Sequence, residues 1–133
     1  MCLLCDGVQE SHHHLFFECP LSTQIWHNIL RKGKVIVPHL SWDNLIGWLS
    51  SNWIGTSLSV SISKLFLATT MYYIWQERNL RLHENWRQNV ENITSTISET
   101  IRMWLSSYKQ VVCNNINKKH QQDWGLPDSI FDV

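Results

Sequence analysis

Apolar side chains recur at steps of three and four along most of this chain, a spacing that predicts helices rather than strands. The cleanest run is Val90, Ile93, Ile97, Ile101, Trp104, Tyr108 and Val111, with Ser95, Ser98, Glu99 and Arg102 on the other faces. One stripe should therefore be buried and the rest solvated. Upstream, Ile62, Leu65, Phe66, Met71, Tyr72 and Trp75 form a broader stripe on a long helix from about Val60 to His83. The few polar residues between these runs predict an antiparallel hairpin with helices near 60–83 and 90–113. Two shorter helices come before it. Pro20 suits a first helical position, Ile25, Trp26, Ile29 and Leu30 supply an apolar face, and Gly33 ends it. Ser41 can cap a second helix through Trp42, Leu45, Ile46, Trp48 and Leu49. Ser50 to Ser59 reads as a loop, and Asn114 to Gln122 as a polar, fraying end. Val35-Ile36-Val37 is strand-like but too short to build a sheet. The expected class is all-α.

Composition fits one modest domain. A chain of 133 residues can bury about two thirds of its unfolded surface, and 44% hydrophobic content supplies a core. Eight tryptophans predict that most of them pack. A formal net charge of +0 argues against a strong nucleic-acid clamp. No apolar run reaches membrane-spanning length; the stretch from Leu65 to Trp75 is too short and follows Lys64, so no membrane association is expected. No basic segment followed by an apolar stretch marks a secretory signal. The expected location is intracellular, nucleus or cytoplasm, and the sequon Asn92-Ile93-Thr94 is discounted accordingly.

The chemistry is concentrated at the N-terminus. Cys2-Leu-Leu-Cys5 is followed by His14 and Cys19. Two thiols two residues apart can hold one Zn²⁺ from a single turn, and a His and a Cys can close the tetrahedron. Reduced thiols in an intracellular chain point to metal rather than to disulfides. Adjacent His12, His13 and His14 leave the imidazole open. His14 leads into Leu15-Phe16-Phe17, which can bury and hold it in place. In an extended segment His12 shares its face and stands in reserve. Four protein ligands make a closed, structural site. With few large side chains of its own, the knuckle is expected to need metal to fold. Cys113 lies on a helical stripe and reads as a core thiol.

Together, Cys2-Leu-Leu-Cys5, Glu10-Ser11, His14-Leu15-Phe16, Cys19-Pro20 and Ile25-Trp26 resemble the zinc-binding domain that follows the reverse transcriptase in plant LINE-type (non-LTR) retrotransposons. The resemblance covers about the first 30 residues well and the next hundred loosely. Its spacing selects His14 as the ligand. Ile74-Trp75-Gln76-Glu77-Arg78-Asn79 resembles a Trp-x-x-Arg-Asn segment farther along the same proteins, and Trp124-Gly125-Leu126-Pro127 has a weaker likeness. Relatives often carry Gly directly after the second Cys, where this chain has Asp6 before Gly7. No polymerase, endonuclease or RNase H signature is visible, so the resemblance implies a detached C-terminal fragment without enzymatic activity.

The organisation expected is a CCHC knuckle and first helix over 1–30, a short helix and loop over 31–59, the hairpin over 60–113 and a polar tail over 114–133. The function implied is a structural zinc module assisting nucleic-acid binding, with single-stranded RNA or DNA as partner. Arg31, Lys32 and Lys34 cluster between Trp26 and Trp42 in a stretch free of acidic residues, the parts single-strand binding uses. The same cations also suit a helix C-terminus. The alternative is a zinc-stapled protein-interaction domain, or a relic without activity. Trp75, Arg78 and Asn79 share a helix face, where Arg78 can cover the Trp75 ring and Asn79 can bond nearby backbone.

Overall fold

The structure, a computed structural model, describes residues 1–33, 42–51 and 57–132. Every regular element among them is helical. A π-type turn, His14–Glu18, leads into α1, Pro20–Lys32, followed by α2, Trp42–Ser51, and α3, Leu58–His83. Helix α4, Val90–Ser106, then α5, Asn115–Trp124, and a 3-10 turn, Asp128–Phe131, complete the chain. The class is all-α, with a Cys/His knuckle leading into a helical bundle. Val35–Val37, the expected cap Ser41 and much of the loop at 50–59 lie outside the described residues.

Local chemistry sets the helix ends. Pro20 opens α1, where its missing N–H costs nothing. Ser57 caps α3 by accepting from Val60 N–H (3.3 Å), and Asn89 caps α4 by accepting from Asn92 N–H (2.8 Å). Helix α3 has 26 residues and is about 39 Å long. It runs antiparallel to α4, and Tyr73 and Thr100 hydroxyls meet across the pair at 3.1 Å. Helix α1 packs on both α4 and α3. Ile25, Trp26, Ile29, Phe66, Ile74, Ile97, Ile101 and Leu105 form the innermost layer.

Several expectations are corrected. Helix α4 ends at Ser106, and its stripe continues from Ile101 to Leu105, which is buried, leaving Trp104 59% exposed. At 100° per residue position 104 lies at least as close in phase to Ile93 and Ile97 as 105 does, so the packing of α1 and α3 on α4, rather than the period, selects Leu105. On α3 the buried line passes through Ile62, Phe66, Thr70, Ile74 and Glu77, leaving Tyr72 and Trp75 half exposed. Among the described tryptophan side chains Trp26 and Trp124 are buried and Trp75, Trp86 and Trp104 are exposed, while those of Trp42, Trp48 and Trp53 lie outside the described residues. Cys113 is exposed and lies beyond any helix.

The polar end is a structured return. Asn114 caps α5 through Asn117 N–H (2.8 Å), and the Asn117 amide donates to Val112 O (2.8 Å). Gly125, at φ 64°, stops the helix, and Leu126 N–H bonds back to Gln121 O (2.9 Å). Val111 N–H then meets Ile130 O (2.9 Å), and Trp124, Leu126 and Ile130 are buried.

Candidate metal centre

The first donor pair is shaped by a tight turn. Cys2 N–H donates to Val8 O (2.7 Å) and Asp6 N–H to Cys2 O (2.8 Å). That curl requires a φ of 56° at Asp6, the left-handed region where Gly is most at ease and Asp is among the few tolerated residues.

The second pair comes from the π-type turn. Cys19 N–H donates to His14 O (2.7 Å), bringing the two residues onto one side. Ser11 starts the turn: its hydroxyl accepts from His14 N–H (3.1 Å) and its carbonyl from Leu15 N–H (2.8 Å). Helix α1 pins the turn from below. Trp26 Nε1 donates to Phe16 O (2.8 Å), the Ser22 hydroxyl donates to Leu15 O, and the Phe17 ring stacks on Trp26 with centroids 5.9 Å apart. The segment is therefore coiled rather than extended, and only His14 of the three histidines is buried. Leu4, Leu15 and Phe17 belong to the same core cluster as Ile25 and Ile97, so the knuckle shares the bundle's core.

Cys2, Cys5, His14 and Cys19 each place a donor atom within 4.8 Å of all the others. Cys2 Sγ and Cys19 Sγ are 3.9 Å apart, and Cys5 Sγ and His14 Nε2 are 3.3 Å apart. A tetrahedral site with arms of about 2.3 Å to sulfur and 2.0–2.1 Å to nitrogen has edges of roughly 3.8 and 3.5 Å. All four cysteines of the chain are free.

The donors' electrostatics fit a cation. The Gly7 amide is the largest influence on the Cys5 thiol and, with help from His14 and the other thiols, lowers its pKa to about 7 against the effect of burial. Burial pushes the Cys19 thiol up to about 12, although the Leu21 and Ser22 amides at the start of α1 favour its thiolate. A fully buried thiol beside two others and an imidazole is costly to ionise alone. A bound cation supplies the missing counter-charge.

The basic cluster stands apart. Arg31 and Lys32 are exposed on the last turn of α1. Helical rise places Lys32 about 20 Å along the axis from Cys19. Lys34 lies outside the described residues, as does the Trp42 side chain. Trp26 is fully buried and cannot stack on a base.

Sequence reasoning missed the polar residues around the Cys2–Cys5 turn. Arg78 Nε donates to Glu10 Oε1 (3.0 Å) and its Nη1 to Asn79 Oδ1 (2.9 Å). Glu77 and Arg81 form a buried ion pair at 2.7 Å. The available signal was Glu77 falling in phase with Phe66, Thr70 and Ile74, a carboxylate on a buried line. No family model matches the chain, and neither the curated proteins nor the solved structures contain a match.

Proposed function

We propose that Cys2, Cys5, His14 and Cys19 bind one Zn²⁺ as a structural centre, and that the stapled module contacts single-stranded nucleic acid. The observation that carries the metal assignment is the donor set itself: three thiols and one imidazole, all within 4.8 Å. Thiolate and imidazole in a tetrahedral arrangement suit Zn²⁺. When bound, the ion would supply a fixed positive charge that ties the Cys2–Cys5 turn to the start of α1. Four protein donors leave no position for substrate, which supports a structural, non-enzymatic role. Thiols of this kind fit a reducing, intracellular setting.

The nucleic-acid part rests on the resemblance to the zinc-binding domain of plant LINE-type reverse transcriptases. Exposed Arg31 and Lys32, with Lys34 beyond them, are its candidate phosphate contacts. A second reading, docking of a protein partner, is favoured by a different observation. Tyr72 and Trp75 are half exposed side by side on α3, with ring centroids 6.4 Å apart, the kind of apolar surface a partner covers.

Elemental analysis of purified protein should find one zinc per chain. Single-stranded RNA binding at low salt should then weaken in the Arg31→Ala, Lys32→Ala, Lys34→Ala triple variant. Its salt dependence should flatten, by about 0.7 of a unit in slope for each phosphate no longer neutralised. Unaltered binding in the triple variant would move the contact elsewhere. A zinc-loaded wild type that does not bind RNA at low salt would favour the protein-docking reading.

A further inference from the structure

The Cys2–Cys5 turn is gripped from both sides by one stretch of α3. On one side Arg81 Nη1 donates to Leu4 O (3.0 Å) and Leu3 O (3.5 Å), the carbonyls of the two residues between the thiols. Its Nε donates to Glu77 Oε2 (2.7 Å), and its Nη2 to Gln88 O (3.5 Å). Glu77 Oε2 also accepts from Gln88 N–H (3.1 Å). On the other side Leu3 N–H reaches Glu10 Oε2 (3.4 Å), and Glu10 is held by Arg78, itself steadied by Asn79.

The cost of this arrangement says that it has a purpose. Side-chain exposure is 7% for Arg81 and 2% for Glu77. Desolvating two charges offsets most of their attraction, and an apolar pair of similar volume would often serve stability as well. An apolar pair could not bond the Leu3 and Leu4 carbonyls. Lysine would not serve either, because it lacks the planar fork that reaches the carboxylate, the turn and Gln88 together.

The geometry points to Glu77, Arg78 and Arg81 as positioning residues for the metal centre. They hold the Cys-Leu-Leu-Cys turn in its ligating shape before the ion arrives. This rests on the metal reading above and gives a role to the Glu77-Arg78-Asn79 segment. Groups that orient ligands of a metal commonly change its affinity 10–100-fold when removed. By linkage, the ion should in turn stabilise the contact between α3 and the knuckle.

The test is zinc affinity of the full chain, read by competition with a chromophoric chelator, beside thermal unfolding of the same samples. Wild type is compared with Arg81→Met, Glu77→Leu/Arg81→Met, Arg78→Gln and a control, Leu105→Ala, which loosens the core far from the turn. Arg81→Met and the double variant should both bind zinc 10–100-fold more weakly. The double variant should regain the thermal stability that Arg81→Met loses, because it leaves no buried charge unpaired. Arg78→Gln, at the partly exposed grip, should lose less affinity. Leu105→Ala should lower the melting temperature without a comparable loss of affinity. Cobalt-loaded Arg81→Met should show altered d–d bands. Should Arg81→Met fail to fold, the double variant decides. Affinity in the double variant within about threefold of wild type would overturn the positioning role and leave the metal centre standing. The positioning role also fails if affinity merely tracks melting temperature across all variants, the control included. A wild type that takes up no zinc would overturn both.

Discussion

Gly33→Ala separates two effects of opposite sign. Gly33 ends α1 with φ −80° and ψ 1°, a conformation alanine adopts readily. Restricting the unfolded chain should then stabilise the protein by about 0.4–1 kcal/mol. The structure opposes this. A methyl group at Gly33 would collide with the Phe66 ring. That ring is fully buried and meets Trp124 edge-on with centroids 5.7 Å apart, so it has no free space to move into. Overpacking of this kind costs about 1–3 kcal/mol. The steric term is the larger, and we expect a net loss of about 1–2 kcal/mol. For a chain of this size that is a fall in melting temperature of roughly 3–12 °C. Chemical denaturation of metal-loaded wild type, Gly33→Ala, Phe66→Leu and the double variant gives the coupling directly. The cost of Gly33→Ala should shrink by at least about 0.5 kcal/mol in the Phe66→Leu background, as for residues in contact. A Gly33→Ala protein more stable than wild type, or an equal cost in both backgrounds, would refute the steric argument.

Three further outcomes follow from particular side chains. Leu105→Ala should destabilise by about 2–5 kcal/mol, whereas Trp104→Ala, at an exposed site, should change stability by under about 0.5 kcal/mol; equal costs in denaturant titrations would show that the phase of α4 is wrong. Asp6→Val should destabilise by about 1–2 kcal/mol because of its positive φ, and Asp6→Gly should be nearly neutral; a harmless Asp6→Val would contradict the left-handed turn. His120 Nε2 lies 2.9 Å from Ser59 Oγ, and its pKa falls below the usual 6.5, chiefly through burial, with Asp123 raising it and Lys119 lowering it further. The unfolded chain then binds the proton more readily. This contribution is fully present above pH 6.5 and is lost as pH falls through the folded pKa. At matched metal saturation, His120→Gln should lose less stability than wild type on acidification below pH 6.5, and identical slopes would exclude a role for His120.

Periodicity defined the helical class and the position of the α3–α4 turn, and Pro20 and Gly33 defined the start and end of α1. These are local properties: a proline at the first turn, a glycine stop and apolar steps of three and four act through neighbours in the chain. Spacing also singled out Cys2, Cys5, His14 and Cys19, which the structure brings together. Helix α5 escapes an apolar pattern because its residues are polar, although Asn114, Gly125 and Pro127 carry its boundaries.

What only tertiary structure decided is which of several plausible residues each helix buries. An aromatic at position 104 and a leucine at 105 look equivalent in a pattern, and the packing of α1 and α3 against α4 selects the leucine. The same holds for Glu77 and Arg81. Their buried place depends on bonding partners at Leu3, Leu4 and Gln88, and Leu3 and Leu4 lie more than seventy residues away in the chain. A charge can be buried only where the folded backbone of another segment offers it bonds, and that offer exists only once the chain has closed on itself.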